Sequence, residues 1–315
     1  MVEPDPQLPE TVDAEQMDPD AEAAPTEWAV IDHYRFLSHP MTVRSLDEEW
    51  SERLRWHLGS FSRAEAGPTA GTVVEVWPRV EDESDWETGS WRRAGDLAYA
   101  HDGTVVRVAS RESVLEYALW DVNATVPQKV GDYLFLHAGA VARNGEGTLV
   151  IAAMDAGKST LVTALLSVGF AYLSDELGAI DPVTARAYPY EKLISLDPDA
   201  LGFFPGLEER LEDRVGISSR LRQRFVRPAD LAAPISGPVP VRWLVFLERR
   251  SGPPQMRDLT RSESIPRLMS HCFNLARFGD PGAVLLSKVA AGAHPLLLEG
   301  GTPSERVALL ADRLG

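Results

Sequence analysis

An eight-residue run, residues 152–159 (AAMDAGKS), has the composition of a loop that binds phosphate. It fits the pattern GxxxxGK[ST], except that Ala152 stands where the first glycine is usual. The apolar residues 148–151 before it predict a buried strand, and leucines at helical spacing after it predict a helix ending at Gly169. The loop is therefore expected at a helix N-terminus, where unpaired N–H groups and the helix dipole favour an anion.

The residue types in this phosphate loop suit a nucleotide. Lys158 would reach the β- and γ-phosphates of ATP, and the hydroxyl of Ser159 or Thr160 would complete a Mg²⁺ shell. Two residues depart from the usual pattern. Alanine at position 152 would cost about 1 kcal/mol if its φ were positive, and Asp155 places a carboxylate in an anion-binding loop. An ordinary turn with a solvated lysine is the alternative.

Two adjacent acids follow the next predicted strand. Residues 170–174 (FAYLS) read as a strand that ends in Asp175 and Glu176. In an open α/β sheet the ligand lies at the carboxyl ends of the strands, where both the loop and these acids would fall. One carboxylate can hold Mg²⁺ while the other accepts a proton from an attacking hydroxyl. Acids after a strand are also common turn residues, but the loop beside them favours a chemical role.

Three segments together resemble a known family. Residues 136–142 (LHAGAVA), the phosphate loop and residues 169–176 resemble the kinase domain of HPr kinase/phosphorylase and its relatives. Those enzymes transfer phosphate from ATP to a serine hydroxyl. The resemblance covers about residues 131–196, including residues 191–196 (EKLISL).

The resemblance implies a role for each matched residue. His137 would lie beside the transferred phosphate, and Lys158 and Ser159 would hold nucleotide and metal. Asp175 would be the general base. Glu176 takes the family's second acidic position and would assist the metal ion.

The resemblance also bears on the acceptor. The chain lacks the glycine-rich signature that follows the acid pair in HPr enzymes, and it is more similar to divergent HPr-kinase-like proteins. Some of those phosphorylate precursor peptides of ribosomal natural products such as lasso peptides. The implied partner is a peptide or protein with a Ser or Thr acceptor, and the family also allows a homo-oligomer.

We therefore expect an ATP- and Mg²⁺-dependent serine kinase. A small-molecule hydroxyl kinase, a nucleotide-binding module without transfer, and a hydrolase or phosphorylase stay open as alternatives. The residues expected to contact nucleotide are Ala153, Asp155, Ala156, Gly157, Lys158, Ser159, Thr160 and Arg224.

Arg224 belongs to a group of arginines that an otherwise acidic chain concentrates in one stretch. Guanidinium groups bind phosphate and carboxylate in bidentate fashion, so the group could close over ATP or grip an acidic peptide. A solvated helix face balanced by neighbouring acids is the alternative. Arg224 and Arg227 are the best candidates because no acid follows them until Asp230. The arginines are Arg210, Arg214, Arg220, Arg222, Arg224 and Arg227.

The composition limits the possible partners. The formal net charge of -16 over 315 residues argues against general binding to nucleic acid or to an anionic membrane. The single Cys272 cannot form an internal disulfide and is expected to be a buried, inert thiol on a helix. No signal peptide or apolar run of membrane-spanning length is evident, which predicts a cytoplasmic protein.

The chain divides into three predicted parts of an α/β protein. Residues 1–27 carry nine acids and no lysine or arginine, which predicts a disordered tail. Residues 28–125 are expected to form a small α+β lobe, and residues 126–315 a P-loop kinase domain of the HPr kinase C-terminal type. Within the latter, a helix is expected over residues 264–278, with Pro266 in its first turn. A capping box at residues 302–305 (TPSE) predicts the last helix.

Overall fold

The computed structural model describes residues 27–46, 48–63, 71–78, 89–96, 105–108, 119, 122–211 and 224–314. The fold is mixed α/β, built from two large sheets and their helices, as the sequence predicts at that level. The predicted acidic tail lies outside the described residues apart from Glu27, and so do Arg214, Arg220 and Arg222.

Among the described residues, the first sheet has six strands and packs against helix α1 (Glu48–Leu58). Its order is β3-β1-β2-β4-β5-β6, and all neighbours are antiparallel except β2 and β4. Alternating residues such as Tyr34 and Phe36 are fully buried on one face. Helix α1 buries Leu54 and Leu58 in the same core. The strands are β1 Val30–Phe36, β2 His39–Ser45, β3 Ser62–Arg63, β4 Thr72–Pro78, β5 Gly89–Asp96 and β6 Val105–Val108.

The second sheet has eight strands in the order β11-β10-β7-β8-β14-β16-β15, with β9 also paired to β7. Strands β8, β14 and β16 are parallel, so their carboxyl ends share one edge. Strands β12 and β13 form a separate two-stranded sheet. The strands are β7 Leu134–Arg143, β8 Glu146–Ala152, β9 Ala171–Ser174, β10 Leu177–Ile180, β11 Arg186–Tyr188, β12 Ile194–Leu196, β13 Arg224–Val226, β14 Val239–Glu248, β15 Gln255–Asp258 and β16 His294–Glu299.

Helices cover both faces of the second sheet. On β8, Val150 packs with α3 and α8, whereas Leu149 and Ile151 pack with α5 and α7. Burial on both faces explains why this strand is a continuous apolar run rather than an alternating one. The helices are α2 residues 122–129, α3 Lys158–Ser167, α4 Pro198–Leu201, α5 Arg261–Ser270, α6 Leu275–Phe278, α7 Asp280–Gly292 and α8 Pro303–Leu314.

The two sheets share a hydrophobic core. Phe36 and Phe61 of the first sheet region lie with Phe135 and Tyr190 of the second in one buried cluster. The rings of Phe61 and Tyr190 are 5.0 Å apart between centroids. Residues of the first sheet region therefore pack against Tyr190, in the segment just before β12. The predicted boundary near residue 125 stays a prediction.

The predicted helix over residues 264–278 is wrong. Helix α5 begins earlier, at Arg261, because Thr260 and Glu263 form a capping box, and Pro266 lies inside the helix. Residues 271–273 then leave the helix because their backbone bonds to β7 instead. Cys272 lies in this break, and burial raises the pKa of its thiol to about 11, which suits a structural cysteine.

The last helix is confirmed where the sequence predicts it. Thr302 caps α8 because its hydroxyl oxygen accepts the Glu305 N–H at 3.4 Å, while its own backbone N–H donates to Glu305 Oε2 at 2.8 Å. Within the described ranges, no helix is long and apolar enough to cross a membrane.

Candidate functional site

The phosphate loop joins β8 to α3, as the sequence predicts. Ala152 still belongs to the strand and pairs with Leu247 of β14. Positive φ angles occur later, at Asp155 (56°) and Gly157 (91°). Aspartate tolerates this left-handed conformation better than most residues, and glycine takes it without cost. The alanine at the first position is therefore unstrained, and the cost expected from it is absent.

The loop residues differ in exposure. Ala153 and Asp155 are exposed at the tip, whereas Ala156 is buried beneath it. Ser159 and Thr160 lie half-buried in the first turn of α3. The exposed side of the loop is therefore open to a ligand, while its base is fixed to the sheet.

Lys158 is the first residue of α3 and is buried, with its Nζ atom 2.8 Å from His137 Nε2. Burial lowers the pKa of Lys158, although Glu176 and Asp175 act in the opposite direction. The predicted neighbours His137 and Lys158 are thus brought together from β7 and α3.

Gly139 makes this approach possible. A Cβ atom at Gly139 would lie 2.5 Å from Val162 Cγ2 and 3.5 Å from Lys158 Cγ. A side chain there would push α3 away from β7. The glycine in the segment LHAGAVA is explained by this close approach of helix and strand.

The acid pair forms the connection between β9 and β10, and both of those strands pair with β7. The Ser174 hydroxyl accepts the backbone N–H of Glu176 at 3.2 Å, and the Glu176 carbonyl accepts the N–H of Ala138 at 3.0 Å. These bonds fix Asp175 and Glu176 alongside the part of β7 that carries His137.

Asp175 is 2 % exposed and has four donors around its carboxylate. Oδ2 accepts the Ser195 N–H at 3.0 Å and lies 3.4 Å from the Ser159 hydroxyl. Oδ1 lies 3.3 Å from Lys192 Nζ and 3.4 Å from the Tyr172 hydroxyl. Burial raises the pKa of Asp175, outweighing the opposite effect of Lys192.

Lys192 lies between the two acids, with its Nζ 3.3 Å from Asp175 Oδ1 and 3.1 Å from Glu176 Oε2. Burial acts to lower the pKa of Lys192, but the two carboxylates hold it above its ordinary value. The Glu176 side chain is 41 % exposed against 1 % for Asp175. Burial acts to raise the pKa of Glu176, but Lys192, His137 and Lys158 bring it below its ordinary value.

Sequence reasoning missed three residues of this site: Tyr172, Lys192 and Ser195. The resemblance included the segment EKLISL, but no role was assigned to its lysine. The available signal was a single lysine placed directly before an apolar strand. Its two partners, Asp175 and Glu176, become visible only once the strands are paired.

The arginines have varied positions. Arg224 is half-buried on β13, where it pairs with Leu196. Across the described residues, no hydrogen bond or ion pair joins Arg224 to the phosphate loop. The Nη2 atom of Arg227 lies 2.9 Å from Asp230 Oδ1, and its Cζ atom lies 5.5 Å from the centroid of the Trp56 ring. These contacts give Arg227 a structural role.

A cavity of about 270 Å³ lies beside the loop, between the end of β14 and the last turn of α5. The carbonyl of His271, at its wall, accepts the backbone N–H of His137 at 2.7 Å. His271 therefore joins the cavity wall to the strand that carries His137, although neither Lys158 nor His137 lines the cavity. Its lining is Ile151, Ala152, Ala153, Met154, Ala156, Phe246, Leu247, Glu248, Arg249, Arg267 and His271.

The oxygen atoms near the loop suit Mg²⁺. Ser159 Oγ lies 3.4 Å from Asp175 Oδ2. Glu176, the residue after Asp175, supplies a second carboxylate. No group of three or more His, Cys, Asp or Glu side chains that could hold a metal occurs among the described residues. Mg²⁺ does not need one, because it is commonly held by one or two carboxylates together with substrate phosphates and water. The residues present therefore fit this ion.

The sequence was compared with protein-family models and with curated proteins. No family model matches the chain, and no curated protein is significantly similar to it. The function is therefore inferred from the side chains of this site and from the distances between them.

Proposed function

We propose that this protein is an ATP-dependent kinase that transfers the γ-phosphate to a Ser or Thr hydroxyl of a peptide or protein. The observation that carries the proposal is the convergence of the phosphate loop and the acid pair. Lys158 Nζ lies 2.8 Å from His137 Nε2, and Ser159 Oγ lies 3.4 Å from Asp175 Oδ2. A phosphate loop alone is compatible with binding, whereas a loop facing carboxylates provides the groups that phosphoryl transfer needs. We further propose a P-loop kinase domain of the HPr kinase C-terminal type.

The loop would bind the triphosphate. The first-turn N–H groups of α3 have no acceptor within the helix and point towards the loop. Lys158, held close to His137, would neutralise charge on the phosphates, and His137 would lie beside the transferred group. Because phosphoryl transfer needs mostly positioning and charge neutralisation, this fixed arrangement is the main catalytic contribution.

The two carboxylates would have different tasks. Ser159 and Glu176 would hold Mg²⁺, which supplies charge neutralisation on the phosphate oxygens when bound. Asp175 would accept the proton of the attacking hydroxyl. Burial raises the pKa of Asp175, which makes it a better proton acceptor than an ordinary aspartate. Lys192 and the Ser195 N–H fix its orientation.

The acceptor would enter from the exposed side of the loop. The cavity there is lined mostly by apolar residues, with Glu248, Arg249, Arg267 and His271 among them, and Arg267 Nη2 lies 3.6 Å from Glu248 Oε1. We assign this space to the residues that flank the acceptor hydroxyl. Walls that are mainly apolar with a few charged groups suit a peptide better than a small sugar, which would need a denser set of hydrogen-bonding groups.

The proposal is tested by incubating the protein with γ-³²P-labelled ATP, Mg²⁺ and a degenerate library of Ser- and Thr-containing peptides. Label should appear in peptides with the wild-type protein and disappear with Lys158→Ala. Arg313→Gln, on the exposed end of α8, is a matched control that should keep transfer.

Each rival function gives a different result in the same assay. Phosphate release without peptide labelling indicates a hydrolase, and labelling of added small hydroxyl compounds alone indicates a small-molecule kinase. ATP binding with neither product indicates a binding module. Any of these three results would contradict a peptide or protein kinase.

A further inference from the structure

A second cation lies against the phosphate loop from a distant part of the chain. Arg306 belongs to the second turn of α8. A Cβ atom added at Gly157 would lie 3.4 Å from Arg306 Nη1. Gly157 is the last loop residue before Lys158, so this guanidinium borders the loop itself.

The guanidinium of Arg306 has unused donors. Its Nε atom donates to the Gly300 carbonyl at 2.7 Å. Across the described ranges, no carboxylate lies within salt-bridge distance of the guanidinium, and neither Nη atom makes a hydrogen bond. Arg306 is half-buried, and this burial lowers the pKa of its guanidinium. A half-buried arginine that lacks an anionic partner in the protein fits an anion supplied by a ligand.

The backbone before α8 is shaped to place Arg306 there. Gly300 and Gly301 both have positive φ angles, 67° and 71°. A Cβ atom at Gly300 would lie 2.7 Å from the Pro253 carbonyl oxygen, and the Gly301 N–H donates to the Gly252 carbonyl at 2.9 Å. The two glycines let the loops after β14 and β16 pack closely, which fixes the start of α8.

Strand order shows from which side Arg306 approaches. Lys158 reaches towards β7, which lies on one side of β8. Arg306 comes from the helix after β16, on the other side of β8, beyond β14. The acid pair lies on the β7 side, where the transferred phosphate would be. Arg306 therefore approaches the loop from the side opposite the acid pair.

We propose that Arg306 binds the phosphates retained in the product nucleotide, and thus acts as a binding residue for ADP as well as for ATP. This inference rests on the proposed function. Its contact would persist after transfer, so it would lower the Kd for ADP as well as the Kd for ATP.

The test is calorimetric titration of ATP, ADP and adenosine into wild type, Arg306→Gln and Arg306→Lys. The expected result for Arg306→Gln is a rise of about tenfold or more in Kd for ATP and ADP alike, in line with loss of a charged hydrogen bond. Adenosine affinity should stay within about twofold, and Arg306→Lys should recover part of the loss.

Several results would overturn the inference. One is an ADP affinity of Arg306→Gln within twofold of wild type. Another is a parallel loss of adenosine affinity and thermal stability in Arg306→Gln and Arg306→Lys, which would mean that Arg306 only supports the Gly300 turn. If wild type bound neither ATP nor ADP, the proposed function itself would fail, and the inference with it. Normal wild-type binding with an unaffected Arg306→Gln would overturn this inference alone.

Discussion

The phosphate loop and the acidic cluster meet at one place but are built in different ways. The loop is one continuous segment between β8 and α3, and the groups proposed to bind phosphate are largely its backbone N–H groups. The acidic cluster, comprising Asp175, Glu176, Lys192 and Ser195, is assembled from the β9–β10 turn and the segment around β12. Its binding groups are side chains, and most of them are buried.

This difference has an energetic consequence. A backbone-built loop accepts a changed side chain wherever the φ angle allows it, as Ala152 shows. A buried charge cluster does not, because removing one partner leaves an unpaired charge with little access to water. We therefore expect substitutions in the cluster to have large effects and substitutions at the base of the loop to have small ones.

The largest effect is expected from Asp175→Asn, because it removes the proposed proton acceptor while preserving the shape of the side chain. We expect kcat to fall by about 10²- to 10⁴-fold, the usual contribution of general-base catalysis, with a smaller change in ATP affinity. Steady-state peptide phosphorylation measures both. Glu176→Gln is the matched control and should mainly raise the Mg²⁺ concentration needed. If Glu176→Gln lost kcat and Asp175→Asn kept it, the roles of the two acids would be reversed.

Lys192→Met should give the next largest effect, on stability. The substitution leaves Asp175 buried without its cation, and breaking a buried pair in this way costs about 3–5 kcal/mol. Urea denaturation would measure the loss in the free energy of unfolding. Lys288→Met, at an exposed position, should change it by less than about 0.5 kcal/mol.

The double variant Lys192→Met/Asp175→Asn distinguishes loss of charge pairing from loss of packing at Lys192. Removing both charges should cost less than Lys192→Met alone, since the unpaired carboxylate is gone. Equal losses in Lys192→Met and in the double variant would show that Lys192 stabilises by packing rather than by pairing.

Gly139→Ala tests the junction between the loop helix and the strand that carries His137. The added methyl group would lie 2.5 Å from Val162 Cγ2, so α3 or β7 must shift. We expect a loss of about 1–3 kcal/mol in unfolding free energy, typical of overpacking. Gly237→Ala, where nothing lies within 4 Å, is the control. A Gly139→Ala protein as stable as wild type would contradict the close packing of α3 on β7.

The smallest effect is expected from Ala152→Gly, which restores the usual first glycine. Ala152 is in a strand, so glycine relieves no strain there and only adds flexibility to the unfolded chain. ATP affinity should stay within about twofold, and unfolding free energy should fall by roughly 0.5–1 kcal/mol. Tenfold tighter ATP binding would mean that the alanine does distort the loop.

The contrast between a loop formed by one continuous segment and a cluster assembled from several segments also explains which site residues could be predicted from the sequence. The strand, loop and helix around Lys158 were predictable because their signals are local: an apolar run, a glycine and helical spacing. Asp175 and Glu176 were found because they directly follow a strand. Lys192 was not found, since its role depends on the pairing of β9 and β10 with β7.

Long-range contacts also explain the misplaced helix and the unexpected arginine. Residues 271–273 leave the helical path because their backbone bonds to β7, which no local pattern shows. Arg306 reaches the loop only because β16 lies two strands from β8. In both cases the neighbour in space is distant in sequence.

The most direct test of the central claim is calorimetric titration of ATP with Mg²⁺ into wild type and Lys158→Ala. We expect one ATP to bind per chain in wild type and at least about tenfold weaker binding in Lys158→Ala, equal to about 1.4 kcal/mol or more. Circular dichroism should show both proteins equally folded. If wild type bound no ATP at millimolar concentration, or if both proteins bound it equally well, Lys158 would not hold a nucleotide.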